Sequence, residues 1–229
     1  PYYRDVVRVD IDTGDITTLA SSDHEYCVSQ LNSYVGKAAA NKSYDVNTGV
    51  SPSGGFCVVT RSRVDEVPVS LLIDRDGKEV LEIEMADITA LPKNWQWPEP
   101  VKLLAADNKT DIYGIVFRPS NFDPNKNYPV ISGLLTSSEW PFVSKGSFTN
   151  GSLNGAPYMD AAAMAELGFI VVHIDGRGTT CRNKAFQDEA YGCLPLVSCL
   201  DDHIAGIKQL AKRYPYMDLE RIGITEHFG

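Results

Sequence analysis

The last residues of this 229-residue chain bring together side chains that could do acid–base chemistry. Residues 222–225 have the apolar pattern of a strand, and Glu226, His227, Phe228 and Gly229 follow it as a turn. Carboxylates and imidazoles are common general acids and bases in enzymes. Neighbouring residues on such a turn point in different directions, however, so Glu226 is badly placed to orient His227. We therefore interpret both residues as structural, and an acid–base role is the less favoured alternative.

Three other polar groups could take part in chemistry, and each has a simpler interpretation. His173 lies within an apolar strand pattern, where we expect a neighbour to satisfy its ring. His203 follows Asp201 and Asp202 in the first turn of a predicted helix, so a solvated cap is favoured over a base. The loop 175–178, Asp-Gly-Arg-Gly, is expected to be shaped by an internal arginine–carboxylate pair.

Composition and charge exclude several classes of protein. The net charge is −9, so a polyanion such as nucleic acid would be repelled. No apolar run approaches the roughly 20 residues that a membrane-spanning helix needs. The five cysteines form no C-x-x-C pair, and Asp10, Asp12 and Asp15 are poorly spaced for a calcium loop. We predict no metal, no cofactor, no nucleic-acid partner and no membrane span.

The five thiols leave two alternatives open. Cysteine packs well as a small apolar residue, so buried and unpaired thiols are favoured. A disulfide between Cys193 and Cys199 is the alternative, and the odd number of cysteines would still leave at least one thiol free.

The first part of the chain, up to about residue 98, has the pattern of β-hairpins. Alternating apolar residues on both sides of a Thr-Gly-Asp turn predict one hairpin within residues 5–19. A second hairpin joins residues 69–73 to residues 79–84, and residues 56–60 form a short buried strand before it. Hairpins that recur with regular turns suggest blades of a β-propeller, here its last blades.

A proline-rich segment at residues 92–100 separates this part from the next, and its three prolines exclude a regular element there. We place the domain boundary in it, with residues 1–98 as a partial propeller and residues 99–229 as the second domain. Residues 31–47, within the first part, are less regular and are expected to form a loop or a short helix.

Beyond the boundary, strands and helices alternate as in an α/β fold. The nearly continuous apolar run 169–174 is typical of a strand buried on both faces of a parallel sheet. Apolar residues at helical spacing make residues 201–214 the clearest helix. The other predicted elements are the strands 112–117, 128–131 and 221–225 and the helix 159–167.

Three stretches of the second part, residues 113–124, 165–179 and 214–224, resemble the catalytic domain of the prolyl oligopeptidase family. The resemblance is strongest to its dipeptidyl-peptidase-IV-like members. The phrases at 51–54 and 76–88 are similar to the last propeller blades of that family. The resemblance implies a mixed fold, in which C-terminal blades of a β-propeller precede the N-terminal part of an α/β-hydrolase domain with a parallel sheet.

The family resemblance implies a serine peptidase that removes short N-terminal peptides, often after proline. Family members carry a Gly-x-Ser-x-Gly type of turn after the strand that is similar to residues 222–225. Aligned without a gap, Glu226 takes the first glycine, His227 the x position, Phe228 the nucleophile and Gly229 the residue after it. Phenylalanine has no nucleophilic atom, and a one-residue gap would also remove the serine.

A second catalytic position has also changed. The tyrosine that stabilises the oxyanion in the family falls on Leu135, which has no side-chain donor. The family's aspartate and histidine lie beyond the nucleophile in sequence, so we expect them outside these residues, together with the later strands of the sheet. The resemblance therefore implies no intact catalytic residue here.

Three functions are compatible with the resemblance. The first is a catalytically inactive member of the family, kept as a binding or scaffolding module for a peptide-like ligand. The second is a fragment of an active serine peptidase whose last residues are altered or missing. The third is a propeller-based binding module without enzymatic activity. The resemblance slightly favours a secreted or periplasmic location, and it allows a homodimer formed through regions outside this segment.

Overall fold

A computed structural model describes residues 2–28, 49–134, 141–148, 156–191 and 200–226 of the chain. The predicted irregular segment 31–47 and the two cysteines Cys193 and Cys199 lie outside these ranges. Within the described ranges the elements are, in chain order, β1 (Val6–Val9), β2 (Ile16–Ala20), β3 (Glu25–Val28), β4 (Phe56–Ser62), β5 (Val69–Asp74), β6 (Glu79–Met85), β7 (Glu99–Leu104), β8 (Asp111–Phe117), β9 (Tyr128–Leu134), α1 (Ala156–Glu166), β10 (Ile170–Asp175), α2 (Lys184–Asp188), α3 (Leu200–Arg213) and β11 (Met217–Glu226).

The chain divides into two compact units by its internal contacts. One contains residues 1–90 with 145–147, and the other contains residues 91–144 with 148–229. The division falls just before the proline-rich segment. The assignment of two domains to residues 1–98 and 99–229 stays a prediction.

The first unit contains a four-stranded antiparallel sheet in the order β3-β4-β5-β6 and a separate strand pair, β1-β2. Both predicted hairpins are present, since β1 pairs with β2 and β5 pairs with β6. The first hairpin turns at Gly14, whose φ of 78° favours a residue without a Cβ. Four antiparallel strands are the size of one propeller blade. Strand β3 was not predicted, because its four residues show no clean alternation of polarity.

The core of this unit comes from alternation along β5. Val69, Leu71 and Ile73 are buried, while the residues between them are partly exposed. They pack with Tyr26 and Val59 of the neighbouring strands. Every residue of β6 is exposed, as expected for a strand at the edge of a sheet.

The second unit is built on a five-stranded sheet in the order β11-β9-β10-β8-β7. Strands β9, β10 and β11 are parallel to one another, whereas β8 and β7 run antiparallel to their neighbours. The connections between the parallel strands contain helices, α1 before β10 and α2 and α3 before β11. The predicted alternation of strands and helices is therefore confirmed.

Helices pack on both faces of this sheet, as the apolar run of β10 predicts. All six residues of β10 are buried. On one face Val172 packs with Leu210 of α3. On the other face His173 contacts Phe117, whose ring meets that of Tyr158 of α1 at a centroid distance of 5.3 Å. Within the described ranges, no helix is both long and apolar enough to cross a membrane.

The last two residues of the proline-rich segment are part of a strand. Glu99 and Pro100 belong to β7, so the prediction that residues 92–100 contain no regular element is wrong for these two. Strand β7 lies at the edge of the sheet, where proline is tolerated because the missing N–H need not pair with a neighbour.

The three thiols in the described ranges differ in burial. Cys57 is buried, as predicted, and Cys27 is partly buried, but Cys181 is exposed, and there the prediction is wrong. None of the three forms a disulfide. Burial raises the pKa of the Cys57 thiol, which makes it less reactive.

The close approach of β8 and β10 gives a test of this packing. A Cβ at Gly114 would come within 2.5 Å of the backbone carbonyl oxygen of His173, which cannot move without disturbing the strand pairing. We expect Gly114→Ala to lower the free energy of unfolding by about 1–3 kcal/mol in a urea titration. The control is Gly55→Ala, where a Cβ meets the flexible Ser53 hydroxyl at 3.3 Å. Equal losses in the two variants would contradict the argument.

Candidate functional site

The carboxyl ends of three parallel strands meet at one edge of the sheet in the second unit. Strand β9 ends at Leu134, β10 at Asp175 and β11 at Glu226. Thr225 pairs with Gly133 and Glu226 pairs with Leu134, so β9 and β11 end level with each other. Open α/β sheets bind ligands outside the carboxyl ends of their strands, and this edge is therefore the candidate site.

The residues assigned to altered catalytic positions follow directly on two of these strand ends. Leu135 is the next residue after β9, and His227 is the next after β11. Leu135, His227, Phe228 and Gly229 lie outside the described residues, and of Glu226 the backbone alone is described. The pairing gives the level at which the chain leaves the sheet, while the catalytic assignment of these positions stays a prediction.

Asp175 holds a chain segment next to this edge. Its Oδ1 accepts hydrogen bonds from the backbone N–H groups of Phe142 and Val143, at 2.8 and 3.0 Å. The residue is buried, so these bonds form away from bulk water. Asp175 therefore holds Phe142 and Val143 in place.

The loop after β10 is held by an arginine–carboxylate pair, as predicted, but the carboxylate comes from a different element. Arg177 donates to Asp202 of α3 from Nε at 3.0 Å, from Nη2 at 2.9 Å and from its backbone N–H at 2.8 Å. The backbone N–H of Ala106 donates to the same carboxylate at 2.8 Å. A second carboxylate, that of Asp107, lies 3.3 Å from the guanidinium. The prediction of a pair internal to residues 175–178 is thus wrong in its partner.

Asp202 remains charged although it is almost completely buried. Burial by itself would raise its pKa, but the bonds from the Arg177 side chain and from the backbone of Ala106 and Arg177 lower it by more. The net result is a pKa below the ordinary value of an aspartate. The hydrogen bonds of Asp202 join α3 to two loops, so the role of this residue is structural.

His203 is not a solvated cap, and that prediction is wrong. The residue is 3% exposed, and its Nδ1 lies 3.3 Å from the Oγ of Ser132 on β9. Burial lowers the pKa of His203 to about 4, and the opposing effects of Asp202 and of a backbone bond to Ile174 are smaller. No local pattern indicates this burial, because the acidic residues beside His203 suggest a solvated turn.

Ser132 and His203 form part of the wall of a cavity of about 210 Å³. A serine beside a histidine could support nucleophilic catalysis if a third group oriented the base. The adjacent carboxylate, Asp202, bonds Arg177 instead of the imidazole. The other residues of the wall are Leu200, Ile204, Ile207, Lys208, Leu219, Ile222 and Ile224. We conclude that this pair is a buried polar contact rather than a catalytic relay.

His173 is buried, and within the described residues its Nδ1 has no hydrogen-bond partner, contrary to prediction. Its ring centroid lies 4.3 Å from that of Phe142 and 5.6 Å from that of Phe117. The ring also covers Gly133, since a Cβ there would come within 2.5 Å of its Cδ2. Burial lowers the pKa of His173 to about 3, with a further contribution from His203. The imidazole is therefore neutral at physiological pH and fills space at the strand end.

The strand order and the parallel edge define the class: the second unit is the N-terminal part of an α/β-hydrolase sheet. Comparisons with known proteins agree with this class. Residues 158–225 match the model of the prolyl oligopeptidase family. Dipeptidyl peptidase 8 of Homo sapiens is 30% identical over 113 residues, which are 49% of this chain and 12% of that protein. A probable dipeptidyl-aminopeptidase B of Emericella nidulans is 25% identical over 229 residues, which are 98% of this chain and 22% of that protein.

A solved structure extends the comparison to both units. A proposed dipeptidyl aminopeptidase IV from Bacteroides ovatus aligns with 98% of this chain and 35% of its own, with a TM-score of 0.63 and 23% identity. At that identity the match shows the fold, and the predicted mixed fold of propeller-type blades and a partial hydrolase sheet is confirmed. The predicted resemblance to the prolyl oligopeptidase family is confirmed by the family match over residues 158–225 and by these two relatives. It spans 12% to 22% of the length of the two sequence relatives named above.

The buried imidazole of His173 predicts a pH effect on stability. Its pKa falls from 6.5 to about 3 on folding, so below pH 6.5 the unfolded chain binds more protons than the folded one. Stability from the neutral ring is therefore complete above pH 6.5 and is lost as the pH falls from there towards 3. We expect His173→Phe, which keeps an aromatic ring but cannot be protonated, to lose less stability over this range. Urea titrations at several pH values measure it, and equal slopes for both proteins would contradict the assignment.

Proposed function

We propose that this chain is part of a dipeptidyl-peptidase-type scaffold that binds the N-terminal end of a peptide without cleaving it. Two of its relatives are named as a dipeptidyl peptidase and a dipeptidyl-aminopeptidase, which supports a peptide with a free N-terminus as the ligand. The proposal departs from those names in one respect. Position 228, which we assign to the nucleophile, holds phenylalanine.

The register of β9 and β11 carries the proposal. Leu134 and Glu226 are paired, so the two adjacent strands β9 and β11 end level with each other at the same edge of the sheet. In a hydrolase of this class, the nucleophile and an oxyanion donor are needed at that edge. Leu135 and Phe228 offer neither a side-chain donor nor a nucleophilic atom.

Each of these changes is large in energetic terms. Removing one oxyanion donor lowers the rate of a serine protease by roughly a hundred- to a thousandfold. Removing the nucleophile lowers it by about a millionfold, and the two losses overlap because both groups act on the same intermediate. Phenylalanine at the nucleophile position is therefore sufficient by itself to abolish measurable turnover.

The residue at the start of the assigned turn supports the same proposal. Glu226 follows Thr225, where the family pattern has a glycine. Glutamate is unfavourable in that tight turn, which supports a degenerate rather than a displaced site.

A second candidate is a fragment of an active serine peptidase, in which the codons for residues 226–229 have been altered. The intact support of the edge favours it, since Asp175 still holds Phe142 and Val143 through their backbone N–H groups. Sequencing the gene through and beyond codon 229 tests this candidate. A frame that restores a glycine–serine turn after Thr225 would establish it, and a confirmed Glu-His-Phe-Gly would exclude it.

We expect the full-length protein to release no p-nitroaniline from Ala-Pro or Gly-Pro p-nitroanilide above the background rate. Calorimetric titration with an unmodified Ala-Pro peptide should nevertheless show saturable binding. The physical reason is that phenylalanine at position 228 prevents acylation, while binding of the peptide does not require a nucleophile.

The matched variants are Leu135→Tyr alone, which should remain inactive, and the combination of Glu226→Gly, Phe228→Ser and Leu135→Tyr. Turnover that appears with the combination alone would support both positional assignments. Turnover by the unaltered protein would contradict the proposed inactivity. Absence of peptide binding would contradict the proposed ligand.

A further inference from the structure

A serine, a histidine and a glutamate of the first unit form a hydrogen-bonded chain that the family relationship does not explain. The Oγ of Ser22 lies 2.8 Å from the Nδ1 of His24. The Nε2 of the same imidazole lies 2.9 Å from the Oε2 of Glu66. A nucleophile next to a base that is oriented by a carboxylate is the arrangement of a catalytic triad, which is recognised by geometry and not by position in the chain.

The partners of His24 define which nitrogen carries its proton. A carboxylate accepts hydrogen bonds, so the Nε2–H group of His24 donates to Glu66. In the neutral form of the ring, Nδ1 then carries a lone pair, and the hydroxyl group of Ser22 donates a hydrogen bond to it. The hydroxyl oxygen of Tyr26 lies 2.9 Å from the oxygen of Ser22. Because the hydroxyl group of Ser22 donates to the imidazole, the hydroxyl group of Tyr26 is the donor to the serine oxygen.

The carboxylate of the chain is itself held in place. Arg63 Nε lies 3.5 Å from Oε1 of Glu66, the oxygen that does not face His24. Arg63 also forms ion pairs with Asp23 and Asp65, so its guanidinium is fixed on several sides. Preorganised orientation of this kind distinguishes a relay from a chance contact between mobile surface groups.

The access of solvent also suits a reactive group. Ser22 is exposed, whereas the side chain of His24 is 23% exposed and that of Glu66 is 49% exposed. Tyr26 is buried beneath them. An electrophile can therefore reach the serine oxygen while the base behind it is partly shielded from water.

We propose that Ser22 is an acyl-accepting nucleophile that reacts with small activated esters, with His24 as its general base and Glu66 as the group that orients the base. The Oγ of Ser22 forms a bond to the ester carbonyl carbon and gives its proton to Nδ1 of His24. The ester C–O bond breaks, and the leaving alcohol takes that proton. Water then attacks the acyl-serine with the same base, which releases the acid and restores the serine.

A fluorophosphonate gives a stable adduct by the same first step, in which a P–O bond forms and fluoride leaves. We expect the 229-residue chain to be labelled on the peptide that contains Ser22, as identified by mass spectrometry. His24→Gln should lower the labelling rate about a hundredfold or more, because a positioned base contributes about that factor. Glu66→Gln should lower it to a smaller extent, and Ser22→Ala should abolish it.

The matched control is Ser53, which is exposed and lies 3.2 Å from the Oγ of Ser51, with no imidazole bonded to either oxygen in the described part of the chain. Ser53→Ala should leave labelling unchanged. Circular dichroism and a thermal melt of each variant exclude loss of fold as the cause of a lower rate. Absence of label on Ser22, or a rate that is the same in His24→Gln, would overturn the proposal.

The site of labelling separates this inference from the proposed function. Ser22 lies in the first unit, whereas the assigned nucleophile position is residue 228 in the second. Label confined to the Ser22 peptide supports the inference and leaves the proposed inactivity of the second unit intact. Label found elsewhere without label on Ser22 contradicts the inference by itself.

Discussion

The parallel pairing of β11 with β9 is the interaction on which the candidate site depends. The register runs without a break from the Ile222–Val130 pair to the Glu226–Leu134 pair. A slip of one residue would turn every side chain of β11 to the opposite face of the sheet. Gly223 helps to fix this register, because a Cβ there would come within 2.9 Å of the side chain of Ile131. The same pairing sets the level at which β9 and β11 end, and the residues that we assign to catalytic positions come next in the sequence.

Local patterns in the sequence were sufficient to predict the elements at the centre of each unit. The apolar run of β10 predicted a strand covered on both faces, and the apolar stripe of α3 predicted a helix packed on the sheet. The edge strands were harder, because β7 contains Pro100 and β3 has no alternation of polarity. The burial of His203 and the pairing of Arg177 with Asp202 depend on contacts between distant parts of the chain, which no local pattern encodes.

For the candidate sites too, the sequence can identify residues, whereas their arrangement in space is known only from the structure. The resemblance to the family assigns catalytic positions to Leu135 and Phe228, but it could not provide the register that puts β9 and β11 side by side. Ser22 and His24 lie in the bend before β3, where no strand or helix periodicity predicts which side chains meet. Glu66 is distant in the chain and could be found from the structure alone.

Polar groups beneath the sheet edge are held by the backbone and by an arginine. The described hydrogen bonds of the buried carboxylates Asp175 and Asp202 come from backbone N–H groups and from Arg177. Among the described residues, His173 has no hydrogen-bond partner for its buried Nδ1, and an unsatisfied buried polar group costs roughly 1–3 kcal/mol. It packs on Gly133 at the same edge, where such a cost is tolerated if the shape of the edge must be fixed. Backbone hydrogen bonds and the packing of His173 thus fix the shape of this sheet edge.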